Sequence, residues 1–244
     1  MNLSVCIFGD SVSKGVIFDS ALKKYTLLRD CFVNRIKRSF PVIIKNYSRF
    51  GYTITKGMEL MRRHMSELVG YDYTVLEFGG NDCDFNWAEV SAKPDEEHQP
   101  KTPVGLFERK YKELIAQVRT CGSRPILLTL PPIDADRYFK WISKGLNPGA
   151  ILKWLSDVEH IYRWHERYNL AVCQVAQECD VPVIDISSAF LEEHHYQLFL
   201  CEDGIHPNED GHRLISRVIG ETLQRLPFPV LPGPVHSQAV TAET

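Results

Sequence analysis

The sequence predicts a three-layer α/β/α sandwich built on a parallel central β-sheet. Apolar runs of strand length alternate along the chain with segments of helical period. Each run is hydrophobic almost without interruption, which is typical of strands buried on both faces. Such strands need helices on both sides of the sheet. The length of 244 residues, with 44% hydrophobic residues, allows a sizeable core.

Five apolar runs and three amphipathic stripes give the main elements in chain order. The predicted strands are residues 3–8, 42–44, 74–78, 126–130 and 181–186. The helical stripes lie within residues 107–118, 161–179 and 214–223. We expect a single domain over residues 1–225. A tail, residues 226–244, follows it and carries four prolines that prevent the last helix from continuing.

Charge and cysteine usage narrow the classes of partner. A formal net charge of -3 provides no basic field for a nucleic-acid backbone, so we expect no nucleic-acid partner. The seven cysteines are dispersed and form no C-x-x-C pair, which favours reduced thiols over a disulfide framework. The chain starts in a strand-like run without a signal-peptide pattern and contains no transmembrane run. We therefore expect a cytoplasmic protein with no membrane partner.

The first candidate for chemistry is Ser11, in the sequence Gly9-Asp10-Ser11 at the end of the first predicted strand. Gly9 permits a tight turn there, so that the Ser11 hydroxyl stands exposed at the carboxyl edge of the sheet. This position suits a nucleophile. The three residues alone are also ordinary turn and helix-capping residues, so the interpretation depends on what accompanies them.

A base and an orienting carboxylate lie nearly two hundred residues later, in Asp203-Gly204-Ile205-His206-Pro207. This turn-rich segment lets Asp203 curl back and accept a hydrogen bond from one imidazole nitrogen of His206. The other nitrogen is then free to take the proton of Ser11. The alternative is an Asp that caps the following turn beside a surface histidine.

Acyl transfer also needs hydrogen-bond donors for the oxyanion, and three candidates follow predicted strands. Asn81, in Gly79-Gly80-Asn81-Asp82, projects a side-chain N–H, and Gly51 offers an unobstructed backbone N–H. The Ser11 N–H is the third donor. The alternative for the Gly-Gly-Asn-Asp segment is a structural turn.

Competing motifs are absent. Residues 9–15 lack the Lys-Ser/Thr pair of a phosphate loop, and no G-x-S-x-G elbow surrounds Ser11. His160, His165 and the pair His194-His195 lack metal-ligand spacing, so we interpret them as packed or solvated side chains. We expect neither a cofactor nor a metal.

Taken together and in this order, the blocks around Ser11, Gly51, Asn81 and His206 resemble those of the SGNH hydrolase superfamily, the GDSL lipases and esterases. The resemblance spans about residues 3–225. It implies a flavodoxin-like sandwich, with Ser11 as nucleophile, His206 as base, Asp203 as its orienter, and Gly51 and Asn81 completing the oxyanion hole. The first block continues as Val12-Ser13-Lys14-Gly15 where many members have Leu and Thr, which blurs the subfamily.

The resemblance implies a serine esterase acting on a small-molecule ester through an acyl-serine intermediate. The family includes carbohydrate deacetylases, lysophospholipases and thioesterases. Trp87 and Trp141 suit stacking on a sugar, which favours an acetylated carbohydrate. An acyltransferase and a non-catalytic ligand-binding protein are the alternatives from other classes.

Two aromatic-rich insertions, residues 83–104 and 133–155, each follow the carboxyl end of a predicted strand. Ligands bind at that end of open α/β sheets, so one interpretation is that the insertions wall the substrate pocket. The other is that their aromatic side chains close small satellite cores under long loops.

Overall fold

A five-stranded parallel sheet lies at the centre of the computed structural model, which describes residues 3–225. The predicted tail, residues 226–244, lies outside the described residues. The strands are β1 (Leu3–Gly9), β2 (Val16–Asp19), β3 (Lys24–Leu27), β4 (Val42–Asn46), β5 (Tyr73–Glu77), β6 (Arg124–Leu128) and β7 (Val183–Ile184). The helices are α1 (Ser11–Lys14), α2 (Phe32–Ser39), α3 (Ile54–Arg63), α4 (Met65–Leu68), α5 (Trp87–Ala92), α6 (Val104–Thr120), α7 (Ala135–Ile142), α8 (Pro148–Leu155), α9 (Glu159–Glu178), α10 (Ser187–Leu191) and α11 (Glu209–Arg225), with a 3-10 helix at Tyr196–Phe199.

The order of the strands determines where a ligand binds. The sheet runs β4-β1-β5-β6-β7, and all four neighbouring pairs are parallel. Counted without the β2–β3 hairpin, this is the 2-1-3-4-5 order of flavodoxin-like folds. The chain reverses its winding direction between β1 and β5, which leaves a crevice beyond the carboxyl ends of these two strands. The predicted three-layer fold with a parallel sheet is confirmed.

Helices cover both faces of the sheet, and each face has its own core. On one face α3, α6 and α9 pack fully buried side chains such as Met61, Phe107 and Tyr168. On the other face α2, α10 and α11 contribute side chains that include Phe32, Phe190 and Ile215. A third cluster lies apart from the sheet and joins the two insertions to the start of α9.

The last predicted strand, residues 181–186, is much shorter in the structure. Only Val183 and Ile184 pair with β6. Pro182 has no N–H to donate to the ladder, and the Ile186 N–H donates to the Thr129 hydroxyl instead. Asp185 accepts from the Ser188 N–H and so starts α10.

The antiparallel β2–β3 hairpin was not predicted. Its strands pair from Val16 with Leu27 to Asp19 with Lys24, directly after the turn that carries Ser11. The strands are four residues long and partly exposed, and the one apolar run in them, Val16-Ile17-Phe18 of β2, was not interpreted as a strand. Within residues 3–225, no helix is both long and apolar enough to span a bilayer.

Candidate active site

The turn after β1 places Ser11 at the crevice. Ser11 is the first residue of α1, and Asp10 caps this short helix by accepting from the Val12 N–H at 2.9 Å. A Cβ at Gly9 would lie 2.8 Å from Glu77 Oε2 and 2.9 Å from the Glu77 carbonyl oxygen. The residue at this position therefore has to be glycine for β1 and β5 to approach this closely.

Ser11, His206 and Asp203 form one continuous chain of hydrogen bonds. His206 Nδ1 donates to Asp203 Oδ2 at 2.6 Å, and the Ser11 hydroxyl donates to His206 Nε2 at 2.9 Å. All three residues are buried, Asp203 completely, so the prediction of an exposed Ser11 hydroxyl is wrong: Ser11 lines a cavity and is only 6% exposed. The structure thus brings together side chains that are 195 positions apart in the sequence. The arrangement allows His206 to accept the serine proton while Asp203 holds the imidazole.

The loop that carries His206 is fixed by its own backbone. Asp203 Oδ1 accepts from the N–H groups of Ile205 and His206, so the carboxylate curls back as the turn-rich sequence predicts. Burial acts to raise the pKa of Asp203, but the hydrogen bonds and charge of His206 hold that pKa below its ordinary value. Gly204 has φ +77°, and a Cβ there would lie 2.7 Å from the Asp134 carbonyl oxygen.

Two of the predicted oxyanion donors flank the crevice. The N–H groups of Asp10, Val12 and Ser13 all donate to carboxylate oxygens, whereas the Ser11 N–H has no acceptor among residues 3–225. Asn81 donates one side-chain N–H to Asp10 Oδ2 at 2.9 Å, which orients the amide and leaves its second N–H available. Both donors can therefore point to an oxygen bound beside Ser11.

Gly51, the third predicted donor, is less closely tied to the cavity. It has φ +72°, and a Cβ placed there would meet no atom within 4 Å. Its neighbour Phe50 lines the cavity that contains Ser11 and His206, but Gly51 is not among the lining residues. Its role as an oxyanion donor stays a prediction.

Buried carboxyl groups, which were not predicted as site residues, hold the donor loops together. Glu77, at the end of β5, is fully buried, and its Oε2 accepts from the N–H groups of Asp10 (3.2 Å) and Ser13 (3.3 Å). Burial, and then the charge of Asp10, raises the pKa of Glu77 well above its ordinary value. Burial likewise raises the pKa of Asp82 to about 7, and its carboxyl accepts from the Ile54 N–H that starts α3. For Glu77, the signal in the sequence is an acidic residue inside the otherwise apolar predicted strand 74–78.

One cavity of about 150 Å³ contains Ser11, Asn81 and His206. Its inner wall comes from both insertions and from α9. The same aromatic side chains therefore close a satellite core and line the cavity, so the two interpretations do not exclude each other. That this cavity binds the substrate stays a prediction. On the side of His206 lie Tyr25 of β3, with its ring centroid 5.2 Å from that of the imidazole, and Phe50, at 6.1 Å.

Of the histidines predicted to be packed or solvated, His194 and His195 are exposed, whereas His160 and His165 are packed. Both line the cavity, and His160 stacks on Trp164. His212 is fully buried against Phe32, and burial lowers its pKa to about 3. Within residues 3–225, no group of three or more histidine, cysteine or carboxylate side chains is placed to bind a metal ion.

Comparison with known proteins agrees with the fold and the motifs. The chain belongs to the GDSL-like Lipase/Acylhydrolase family, whose family model matches residues 7–214. It is 22% identical to GDSL esterase/lipase CPRD49 of Arabidopsis thaliana. This match covers 77% of the chain and 66% of that protein. It is 24% identical to the isoamyl acetate-hydrolyzing esterase 1 homolog of Bos taurus, over 92% of the chain and 84% of that protein.

Among solved structures, the lipase/acylhydrolase of Enterococcus faecalis superposes with a TM-score of 0.65 at 19% identity, covering 91% of the chain and 96% of that structure. At this identity the likeness shows the fold. The resemblance predicted from the motif blocks is confirmed by the family match, and it places the chain in a family of esterases and lipases.

Proposed function

We propose that the protein hydrolyses carboxylic esters through an acyl-serine intermediate, with Ser11 as nucleophile, His206 as base and Asp203 as orienter. The observation that carries the proposal is the hydrogen-bond chain from Asp203 through His206 to Ser11, which ends in a cavity. Family membership supports the same reaction class.

The geometry supports the following sequence of steps. His206 Nε2 takes the proton of Ser11 as Oγ attacks the ester carbonyl, and the Ser11 N–H and Asn81 donate to the oxyanion. Gly51 is the proposed third donor. His206 then gives its proton to the leaving alcohol, and in the second half-reaction it activates the water that releases the acid. Asp203 keeps Nδ1 protonated and stabilises the imidazolium that forms in both halves.

The alternatives differ in how well the site supports them. A non-catalytic binding protein does not need a serine hydrogen-bonded to a histidine beside an oriented amide. This chain has all three, in Ser11, His206 and Asn81. An acyltransferase uses the same intermediate and differs in the acceptor, so product analysis with and without an added alcohol separates the two. Lysophospholipid and thioester substrates likewise use this chemistry.

An acetylated carbohydrate as the substrate stays a prediction. It depends on a free face of Trp87 or Trp141 for stacking. Lys144 Nζ lies 3.6 Å from the ring centroid of Trp141, and Phe18 packs edge-on against the same ring. Trp87 donates its indole N–H to Asp84 and packs against Tyr138 and Trp154.

Steady-state hydrolysis of p-nitrophenyl acetate, butyrate and octanoate tests the proposal. We expect Ser11→Ala and His206→Ala to lower kcat by about 10⁴- to 10⁶-fold. The matched control is Ser216→Ala, since within residues 3–225 the Ser216 hydroxyl bonds only to a carbonyl of its own helix. Far-UV circular dichroism checks that each variant is folded. Equal rates for wild type and folded Ser11→Ala on every ester would overturn the proposal.

A further inference from the structure

The cavity beside Ser11 has two unlike sides. Its inner wall is built from apolar and aromatic side chains of the two insertions and α9, the same residues that form the satellite core. The shared residues are Phe85, Trp87, Ile133, Tyr138, Leu155, Ile161 and Trp164. The outer side is formed by Tyr25 of the β2–β3 hairpin and by Phe50.

The inner wall is closed at its deepest part. Leu155 is 1% exposed, Ile133 5% and Phe85 7%, whereas Trp87, Tyr138 and Trp164 are partly exposed, so a group that contacts the first three is largely removed from water. The carboxylate of Asp84 also lies in the wall, but it already accepts from Trp87 Nε1, Tyr138 Oη and Lys101 Nζ at 2.7–2.8 Å. A polar ligand such as a sugar would have to compete for an acceptor that is already occupied. Two histidines of α9, His160 and His165, also line the cavity, and the Nδ1 atom of His165 has no hydrogen-bond partner among residues 3–225. The rest of the inner side is apolar and favours an apolar group.

The outer side is open and lies against the proposed base. Phe50 is 52% exposed, and its ring packs at 30° to the imidazole of His206. In ester hydrolysis the leaving alcohol takes its proton from the base, so the alcohol lies on the side of His206. The acyl group of the ester then lies on the opposite side of the cavity, against the inner wall.

The size of the cavity limits the acyl group. A dry cavity of about 150 Å³ in another protein admits a benzene molecule, which has six carbon atoms. The cavity here has about the same volume in total, and the acyl side shares it with the reacting carbonyl and with the Tyr25–Phe50 side, so six carbons is an upper bound for the acyl group. A long lipid chain does not fit in this space.

We propose that the insertion wall is an acyl-binding pocket for apolar acyl groups of about four to six carbons, with the alcohol held at the open Tyr25–Phe50 side. The inference rests on the proposed ester hydrolysis and goes further by assigning each half of the ester to one side of the cavity. It predicts a higher kcat/KM for esters of short apolar acids than for acetate esters or for esters of long-chain lipids.

Isomeric esters test this assignment without changing the hydrophobicity of the substrate. Ethyl butanoate and butyl acetate have the same formula, but they place the apolar carbons on the acyl and the alcohol side, respectively. Each methylene buried is worth about fourfold in kcat/KM. We therefore expect ethyl butanoate to exceed butyl acetate by about tenfold or more, measured by acid release at constant pH. In a p-nitrophenyl series, kcat/KM should peak at butanoate or hexanoate and fall at octanoate.

A pair of substitutions on one helix locates the pocket. Leu155→Trp fills the wall and should lower kcat/KM for hexanoate about tenfold or more relative to acetate. Leu152→Trp, on the same helix but 39% exposed, is the matched control and should leave the profile of wild type. If Leu155→Trp does not fold, Leu155→Ala serves instead, since it enlarges the wall and should move the optimum to longer acyl groups.

The outcomes separate the two proposals. Ser11-dependent hydrolysis that is fastest on acetate, or that follows the length of the alcohol and not of the acyl group, overturns the acyl pocket and leaves the esterase standing. An unchanged profile in folded Leu155 variants also overturns the pocket. Absence of Ser11-dependent hydrolysis of every ester overturns the proposed function itself.

Discussion

The edge of the sheet that carries Ser11 and the wall that faces it are held in different ways. At the sheet edge, the carboxyl groups of Glu77, Asp10 and Asp203 accept hydrogen bonds from backbone N–H groups and so fix the loops. The wall is held mainly by packing among side chains such as Phe85 and Trp154, whose ring centroids are 4.9 Å apart, and the hydrogen bonds at its Asp84 come from other side chains. Hydrogen bonds fix atoms to within tenths of an ångström, whereas packing fixes mainly volume and shape.

The difference assigns the chemistry and the selectivity to separate parts of the molecule. Changes at the sheet edge are expected to alter kcat, because they displace the nucleophile or the oxyanion donors. Changes in the wall are expected to alter stability and the choice of acyl group while the chemistry continues. The predictions that follow test this separation.

Asn81→Ala should produce the largest effect of these predictions. Loss of one oxyanion donor lowers kcat by about 10²- to 10³-fold, with KM little changed, because the donor acts mainly on the transition state. Steady-state kinetics on p-nitrophenyl butyrate measure the split between kcat and KM. A rise in KM with unchanged kcat would mean that Asn81 binds the substrate and does not stabilise the oxyanion.

Glu77 should act by positioning the nucleophile turn. Glu77→Leu removes the acceptor of the Asp10 and Ser13 N–H groups, and we expect about 10- to 100-fold loss in kcat and about 1–3 kcal/mol loss in the free energy of unfolding. Glu77→Gln keeps a carbonyl oxygen at the same place and adds no charge, so it should restore kcat to within about tenfold of wild type. If Glu77→Gln were as slow as Glu77→Leu, a negative charge on Glu77 would be required and this account would be wrong.

Asp82 should make the protein less stable as the pH rises. Its pKa is about 7 in the folded protein and about 4 in an unfolded chain, so the folded state binds more protons between these values. The free energy of unfolding therefore decreases as the pH rises through this window. Asp82→Asn keeps an acceptor for the Ile54 N–H and should make the dependence flatter, measured by urea unfolding from pH 5 to 8. An equal slope in both proteins would exclude Asp82 as its source.

Asn147→Ala should give the smallest effect, and only on stability. Asn147 caps α8 of the wall by accepting from the Ala150 N–H at 3.1 Å. Losing such a cap costs about 1 kcal/mol of the free energy of unfolding. We expect kcat on p-nitrophenyl acetate to stay unchanged, because no hydrogen bond among the described residues links this cap to the triad. A matching loss of kcat would show that the wall and the sheet edge are coupled.

The difference between the hydrogen-bonded sheet edge and the packed wall also explains which features could be predicted from the sequence. The alternation of apolar runs predicts the sheet, because a strand buried on both faces shows its burial in the sequence. The motif around Asp203 and His206 predicts its own geometry, because Asp203 accepts hydrogen bonds from residues two and three positions away. Hydrogen bonds between residues so close in the chain can be predicted from a short stretch of sequence.

Long-range packing could not be predicted in this way. The covering of His206 by Tyr25 depends on a hairpin whose short strands carry no clear alternation. Glu77 was not predicted as a site residue, because its partners lie 64 and 67 residues earlier in the chain. Likewise, the contact between Phe85 and Trp154 could not be predicted, because it depends on how the two insertions pack against each other.

Covalent labelling tests the central claim most directly. A fluorophosphonate probe reacts with an activated serine by losing fluoride, and peptide mass spectrometry then locates the adduct. We predict a single adduct per chain, on Ser11, which is lost in Ser11→Ala and strongly slowed in His206→Ala. A protein that hydrolyses esters but carries the adduct on another serine, such as the buried Ser13, would contradict the assignment of the nucleophile on which the account rests.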